Sequence, residues 1–221
     1  MTGTGTRTAL ARRAGRLALV SLALFVLLAV WVTHGGDPRL PADTGPHRWS
    51  VAHRPPVASA LARGVTDTGT GFIPYALLLA AGWYAGRTTR GRARTAAALL
   101  LCLGAGQALR YAAMVGIARP RPAAADWAVH ASGWSFPSGH SATAAMTAGL
   151  LIAALVLRGP PVPRFPIVLI ACWGAAVGLS RIYLGVHWPT DVLGGWLFAT
   201  AWLSLLARAF LWRTGARNPA A

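Results

Sequence analysis

The stretch Ser180-Arg181-Ile182-Tyr183-Leu184-Gly185-Val186-His187-Trp188-Pro189-Thr190-Asp191 joins two apolar runs, 165–184 and 192–212, through a short polar link. Runs of that length on either side of such a link read as consecutive membrane-crossing helices. Ionisable groups at the edge of apolar segments are expensive and mark function. Two further polar clusters sit at run ends. Phe136-Pro137-Ser138-Gly139-His140 precedes an apolar run, and Arg119-Pro120-Arg121-Pro122 follows one. Together the three clusters supply cations, two histidines, a carboxylate and a helix start.

Composition agrees with a membrane protein. The 221 residues are 55% hydrophobic and 12% charged, about half the charged share of a soluble domain. Six spans are expected, at 17–32, 72–85, 95–117, 141–157, 165–184 and 192–212. The run 72–85 is short for a hydrocarbon core of about 30 Å. The first run reads as a retained anchor, because no small-x-small cleavage site follows it. The fold class is therefore all-α: a polytopic six-helix bundle forming one domain over 1–221.

Net charge is +16, and all 21 basic residues are arginines. They cluster beside apolar runs, which favours a bilayer over nucleic acid as partner. Arg7, Arg12, Arg13 and Arg16 precede the first span; Arg87, Arg90, Arg92 and Arg94 follow the second; Arg158 and Arg164 follow the fourth; Arg208, Arg213 and Arg217 end the chain. With alternating helices these all face one side, the cytoplasmic one. The basic tail 1–16 and the tail 213–221 then lie inside an inner, plasma membrane. The segments 33–70 and 119–140 form outer loops, the first with a short surface helix across 57–65, and the polar clusters face outward. Asp37, Asp43, Asp67 and Asp126 also fall outside. Trp31, Trp83, Trp188 and Trp212 suit an aromatic belt, whereas Trp173, Trp196 and Trp202 suit packing. Gly174 and Gly178 invite a close helix approach. Cys102 and Cys172 read as buried free thiols.

Each cluster has its own chemistry. Ser138 is a good N-cap for the apolar helix that follows. The first N–H groups of that helix lack intrahelical partners, and Gly139 lets an anion approach them. Arg119 and Arg121 carry guanidinium groups suited to phosphate oxygens. His187 and Asp191 are four residues apart, with Pro189 fit for a first helical turn. A carboxylate beside a histidine fixes its tautomer and stabilises its cation. Arg181 closes the preceding run and can reach the same anion.

The second and third clusters resemble two motifs of the type-2 phosphatidic acid phosphatase superfamily, the lipid phosphate phosphatases. Pro137 to His140 match Pro-Ser-Gly-His, and Ser180 to Asp191 match Ser-Arg, five residues, His, three residues, Asp. The first motif, a lysine six residues before Arg-Pro, is broken. Met114 stands at the lysine position for Arg121-Pro122, and Ala112 for Arg119-Pro120. Arg110, one turn before Met114, lies on a similar helix face and is the expected substitute.

The resemblance implies metal-independent hydrolysis of a lipid phosphate monoester or diphosphate: phosphatidic acid, phosphatidylglycerol phosphate or polyprenyl diphosphate. It implies His187 as a nucleophile forming a phosphohistidine, Asp191 as its orienting partner and His140 as acid and base. Arg121, Arg181, Ser138, Gly139, Arg119 and Arg110 are the expected phosphate contacts. No cofactor is expected. Other readings are a metal-dependent hydrolase using His140, His187 and Asp191 as ligands, disfavoured by the surrounding arginines, and a non-enzymatic lipid-phosphate binding or transport protein, kept open by the missing lysine.

Overall fold

The structure, a computed structural model, describes residues 3–34, 40–159 and 161–216. Asp37 and Arg217 lie outside the described residues, as do the rest of 35–39, in the segment expected as the first outer loop, and 217–221 of the C-terminal tail. The described residues form α1 (Gly3–His34), α2 (Pro41–Ala52), α3 (Pro56–Asp67), α4 (Ile73–Ala85), α5 (Thr89–Ile117), α6 (Gly139–Arg158), α7 (Arg164–Tyr183) and α8 (Pro189–Ala216). A single 3-10 turn spans Ala124–Asp126. Five helices (α1, α5, α6, α7 and α8) are long and apolar enough to cross a membrane. The expected span 72–85 is the 13-residue α4, about 20 Å long at 1.5 Å per residue.

Helix α6 is the centre, packed by α4, α5, α7 and α8, while α1 lies along α8. Small residues make this possible. Ala142, Ala144, Ala148 and Ala154 give α6 a smooth buried face, of the kind that lets helices approach without a hydrophobic driving force between them. A Cβ at Gly174 would stand 3.2 Å from Ala148, and one at Gly178 would stand 2.8 Å from the Trp196 ring. The two glycines therefore admit α6 and α8 respectively. Leu78, Leu99, Leu103, Met146 and Leu150 fill the space between α4, α5 and α6. A second cluster joins Phe25, Leu28 and Val32 of α1 to Phe136, with the Phe25 and Phe136 rings stacked at 5.6 Å. Outward faces carry exposed Leu19, Leu27, Leu101, Leu169 and Phe210, as a hydrocarbon solvent requires.

The segment read as outer loop 33–70 is largely helical. Helix α3 contains the expected surface helix, and α2 was not foreseen. Proline at the first turn starts both, a placement in which its missing N–H costs nothing. Helix α2 packs on α7 and α8, and α3 packs on α7. The His47 ring meets the Asp126 carboxylate at 3.0 Å, and Arg54 donates to the Asp126 carbonyl at 2.6 Å. The basic tail 1–16 also differs from expectation, since from Gly3 it continues α1.

Two smaller expectations are corrected. Trp188 is only 5% exposed: its indole donates to the Pro120 carbonyl and its ring faces Arg119 and His47, so it packs and does not join a belt. Trp31, Trp83 and Trp212 are exposed. Neither cysteine is fully buried; Cys172 is exposed on α7, and Cys102 is half-buried.

Candidate active site

Helices α6 and α8 both begin at one end of the bundle, where α5 and α7 finish. The chain between α5 and α6 folds over that end. Ala118 closes α5 in the left-handed region, at φ 51°, and the prolines that follow prevent the helix from resuming. Two backbone bonds hold this loop to the α7–α8 link and the start of α8, Ala128 to Leu184 at 2.9 Å and Ser138 to Asp191 at 3.0 Å, and one closes the loop on itself, Ser135 back to Arg119 at 2.8 Å. Close packing sets the entry to α6. A Cβ on Gly194 would fall 2.3 Å from the Phe136 ring, and one on Gly195 would fall 2.9 Å from the Ser138 carbonyl. The paired glycines of α8 are what let the Pro-Ser-Gly-His turn lie against it.

Below this loop is a cavity of about 530 Å³. It is lined by His187, His140, Gly139, Arg110, Arg121 and Arg181, with Thr70, Gln107, Tyr111 and Thr143 among its other walls. Five separate elements thus bring two imidazoles and three guanidiniums to one space.

His187 is buried in the link between α7 and α8. Its Nδ1 faces Asp191 Oδ2 at 3.3 Å, and its Nε2 accepts from Arg121 Nη1 at 2.9 Å. An arginine has no acceptor, so Nε2 must carry a lone pair and the ring proton must sit on Nδ1. Burial lowers the His187 pKa well below its ordinary value; Arg121 and Arg181 lower it further, while the Ser135 backbone opposes them. The ring is therefore neutral at neutral pH, with its lone pair on the cavity side. Asp191 sits in the first turn of α8 and its Oδ2 reaches back to the Trp188 N–H at 2.9 Å, the acidic half of a capping box.

The three arginines differ in what they have left to give. Arg121 makes five hydrogen bonds: to the carbonyls of Ser132, Gly133, Trp134 and Val186, and to His187. Burial lowers its pKa, and Arg110 adds to that, with Asp191 opposing. Among the described residues Arg110 donates to the Met114 thioether alone, at 3.2 Å, and its buried Nε has no partner. Its guanidinium lies 3.5 Å from where a Gly139 Cβ would be. Arg181 donates to Thr66 Oγ1 at 3.0 Å, and its Nε likewise has no partner among the described residues. Unsatisfied buried donors are costly, so Arg110 and Arg181 are poised for an anion. The N–H groups of Gly139 and His140, at the start of the 20-residue α6, have no partner among the described residues and share that space.

Two expected phosphate contacts are elsewhere. Ser138 is buried and caps α6, its hydroxyl accepting from the Ser141 N–H and, at 2.9 Å, from the Ser141 hydroxyl, and it is not among the residues lining the cavity. Arg119 is 2% exposed and binds Asp43 and Asp191 at 2.7 and 2.6 Å, outside the cavity lining. Carboxylates on two sides drew it inward. Sequence reasoning also missed Thr70, whose hydroxyl meets His140 Nε2 at 3.3 Å, and Thr66. Both lie in the segment taken as loop, where only the spacing of Thr66 and Thr70, one helical turn, hinted at a shared face.

Fold and site together define a multi-pass membrane protein with an arginine-lined cavity beside a buried His–Asp pair. The PAP2 superfamily profile matches residues 95–215. Phosphatidylglycerophosphatase B of Bacillus subtilis is 33% identical over 183 residues, 80% of this chain and 86% of that protein. Undecaprenyl-diphosphatase BcrC of the same organism is 33% identical over 131 residues, 58% of this chain and 63% of that protein. A crystal structure of a transmembrane PAP2 type phosphatidylglycerolphosphate phosphatase from Bacillus subtilis superposes with a TM-score of 0.74 at 28% identity, covering 88% of this chain and 95% of the other. The chain belongs to the PAP2 superfamily. The activity class that accompanies this membership is that of a lipid phosphatase.

Proposed function

We propose that the chain hydrolyses a lipid phosphate through a covalent phosphohistidine on His187. The observation that carries this reading is the pair of contacts on the His187 ring, Nδ1 to Asp191 and Nε2 to Arg121. They present a nucleophilic lone pair to a cavity built for an anion.

In the first step Nε2 attacks phosphorus, and the bond from phosphorus to the leaving oxygen breaks. The leaving oxygen of the lipid, or of its terminal phosphate, takes a proton from His140. The positive charge that develops on His187 is balanced by Asp191. In the second step water attacks the phosphohistidine, His140 accepts its proton, the P–N bond breaks and inorganic phosphate leaves. This is nucleophilic catalysis with one group alternating as acid and base. Arg110 and Arg181, with their spare donors, and the Gly139 amide hold the phosphoryl oxygens. Arg110 takes the place of the missing lysine. Preorganised donors of this kind contribute about 10²–10³ each in rate. The arginines around His140, His187 and Asp191 neutralise the phosphate and repel a divalent cation from that set.

The substrate is a phosphomonoester or diphosphate of a membrane lipid. Phosphatidylglycerol phosphate ranks first, because the relatives spanning most of this chain are named for it; phosphatidic acid and polyprenyl diphosphate have the same reacting group. The arginine-rich ends of the helices lie opposite the cavity, which supports cytoplasmic termini and an extracytoplasmic site in the plasma membrane. The test is labelling with a phosphate-labelled lipid in the presence of chelator, quenched in alkaline denaturant. Wild type should accumulate an acid-labile, base-stable phosphoenzyme, and His187→Ala should not. A phosphoenzyme that persists in His187→Ala would refute the nucleophile.

A further inference from the structure

Asp43 is fully buried on α2, away from the cavity lining. Its Oδ1 accepts from the Thr190 N–H at 2.9 Å, and its Oδ2 accepts from Arg119 Nη2 at 2.7 Å. The Thr190 hydroxyl lies within 2.9 Å of both carboxylate oxygens. Arg119 in turn donates through Nη1 to Asp191 Oδ1 at 2.6 Å and to Thr190 Oγ1 at 2.7 Å. The other oxygen of Asp191 faces His187. An unbroken line of buried groups therefore runs from α2 to the imidazole: Asp43, Arg119, Asp191, His187.

The order of charges in that line matters. A lone guanidinium bonded to Asp191 would cancel the negative charge that an imidazolium on His187 needs. With a second carboxylate on its far side, Arg119 is shared, and the three charged groups sum to one negative charge. The guanidinium fork also suits two carboxylates at once, where an ammonium would act as a single point. Helix α2 is itself fixed over the site by His47 and Arg54 on Asp126.

We propose that Asp43 is a positioning residue of the hydrolytic reaction, acting with Arg119 to fix the orientation and the residual charge of Asp191 behind His187. The inference rests on the reading of His187 as nucleophile. Nothing in the 95–215 match contains Asp43, so the role is read from the packing of α2 alone.

The test uses the full chain reconstituted in lipid nanodiscs, with phosphatidylglycerol phosphate as probe. Asp43→Asn keeps the shape and removes the charge. Its kcat should fall at least about tenfold with KM changed less than twofold, since Asp43 touches no substrate. The acid limb of its kcat/KM profile should also move to lower pH. The charged groups facing His187 are Asp191, Arg121, Arg181, Arg110 and His140. Removing the Asp43 charge takes one negative charge out of the line Asp43, Arg119, Asp191 and makes protonation of His187 harder. Arg119→Lys, which keeps the charge and loses the fork, should lower kcat to a similar degree; should Asp43→Asn not fold, Arg119→Lys carries the test alone. Turnover within twofold of wild type in these variants overturns the inference, and so does a lowered kcat in Asp43→Asn with an unmoved acid limb, which leaves Asp43 purely structural. His187→Ala is run beside them. If it is dead while Asp43→Asn is normal, only this inference fails; if it still forms phosphoenzyme, the underlying reading fails.

Discussion

Arg121 Nη1 donates to His187 Nε2 across 2.9 Å while its other N–H groups bind four backbone carbonyls. The arginine is thus fastened to the main chain on every side but one, and that side meets the atom expected to attack phosphorus. The contact keeps Nε2 unprotonated, its lone pair held on an arginine that lines the cavity, and it keeps a positive charge beside the ring.

That charge has a pH signature. Burial and the Arg121 charge both hold the His187 pKa well below 6.5, so protonation should not limit the free enzyme until the pH falls below that value. The acid limb of kcat/KM is expected below pH 6.5. Arg121→Gln removes a cause of the depression, so the limb should move to higher pH, and kcat/KM should fall about 10²–10³-fold. A pH-rate profile of both enzymes against one lipid phosphate checks the direction.

Arg110 should matter as much as a motif lysine. Its guanidinium sits over Gly139 with an unpartnered Nε. Arg110→Ala is expected to lower kcat/KM about 10²-fold. Adding Met114→Lys to that variant should restore part of the loss, because Met114 lines the same cavity one turn further along α5. Steady-state rates of the single and double variants decide it, and a near-normal Arg110→Ala enzyme would dispose of the substitution argument.

His140 should show its role through the leaving group. A general acid contributes about 10²–10⁴ in rate, but less when the departing oxygen needs no proton. His140→Ala is expected to be strongly impaired on a lipid alkyl phosphate and much less so on an aryl phosphate such as 4-nitrophenyl phosphate. The comparison is a ratio of kcat/KM values between the two substrates.

Gly194→Ala probes the packing that places the α6 entry. The new Cβ would fall 2.3 Å from the Phe136 ring, and overpacking of this kind typically costs about 1–3 kcal/mol. A lower thermal unfolding midpoint in detergent is expected, together with reduced activity, because the same turn carries Gly139 and His140.

Much of the site was legible in the sequence because its residues come in short runs. His187 and Asp191, or Gly139 and His140, are set by one turn each, and local spacing is what a sequence displays. The expectation that Arg110 stands in for the lysine missing at Met114 came from the same kind of local spacing, since a helix puts residues four apart on one face. Arg119 and Arg121 show the limit. They are two residues apart, both arginine and both before proline, yet one faces the cavity and the other a buried aspartate. What separates them is Asp43, some seventy-six positions away, which no local pattern connects to either. Thr66 and Thr70 were hidden likewise, because the packing of α3 on α7 brings Thr66 to Arg181 and the turn after α3 brings Thr70 to His140 at the start of α6. The helix α2 was missed because residues 41–52 have no apolar periodicity; tertiary contacts with α7 and α8 hold it in place, where propensity would not.

The superfamily match begins at residue 95, yet Asp43, Thr66 and Thr70, from earlier in the chain, bond Arg119, Arg181 and His140 respectively. The N-terminal third is therefore not an interchangeable anchor. A chimera that grafted 95–215 onto the leading helices of another relative would carry both histidines and still meet Arg119, Arg181 and His140 without the partners they have here.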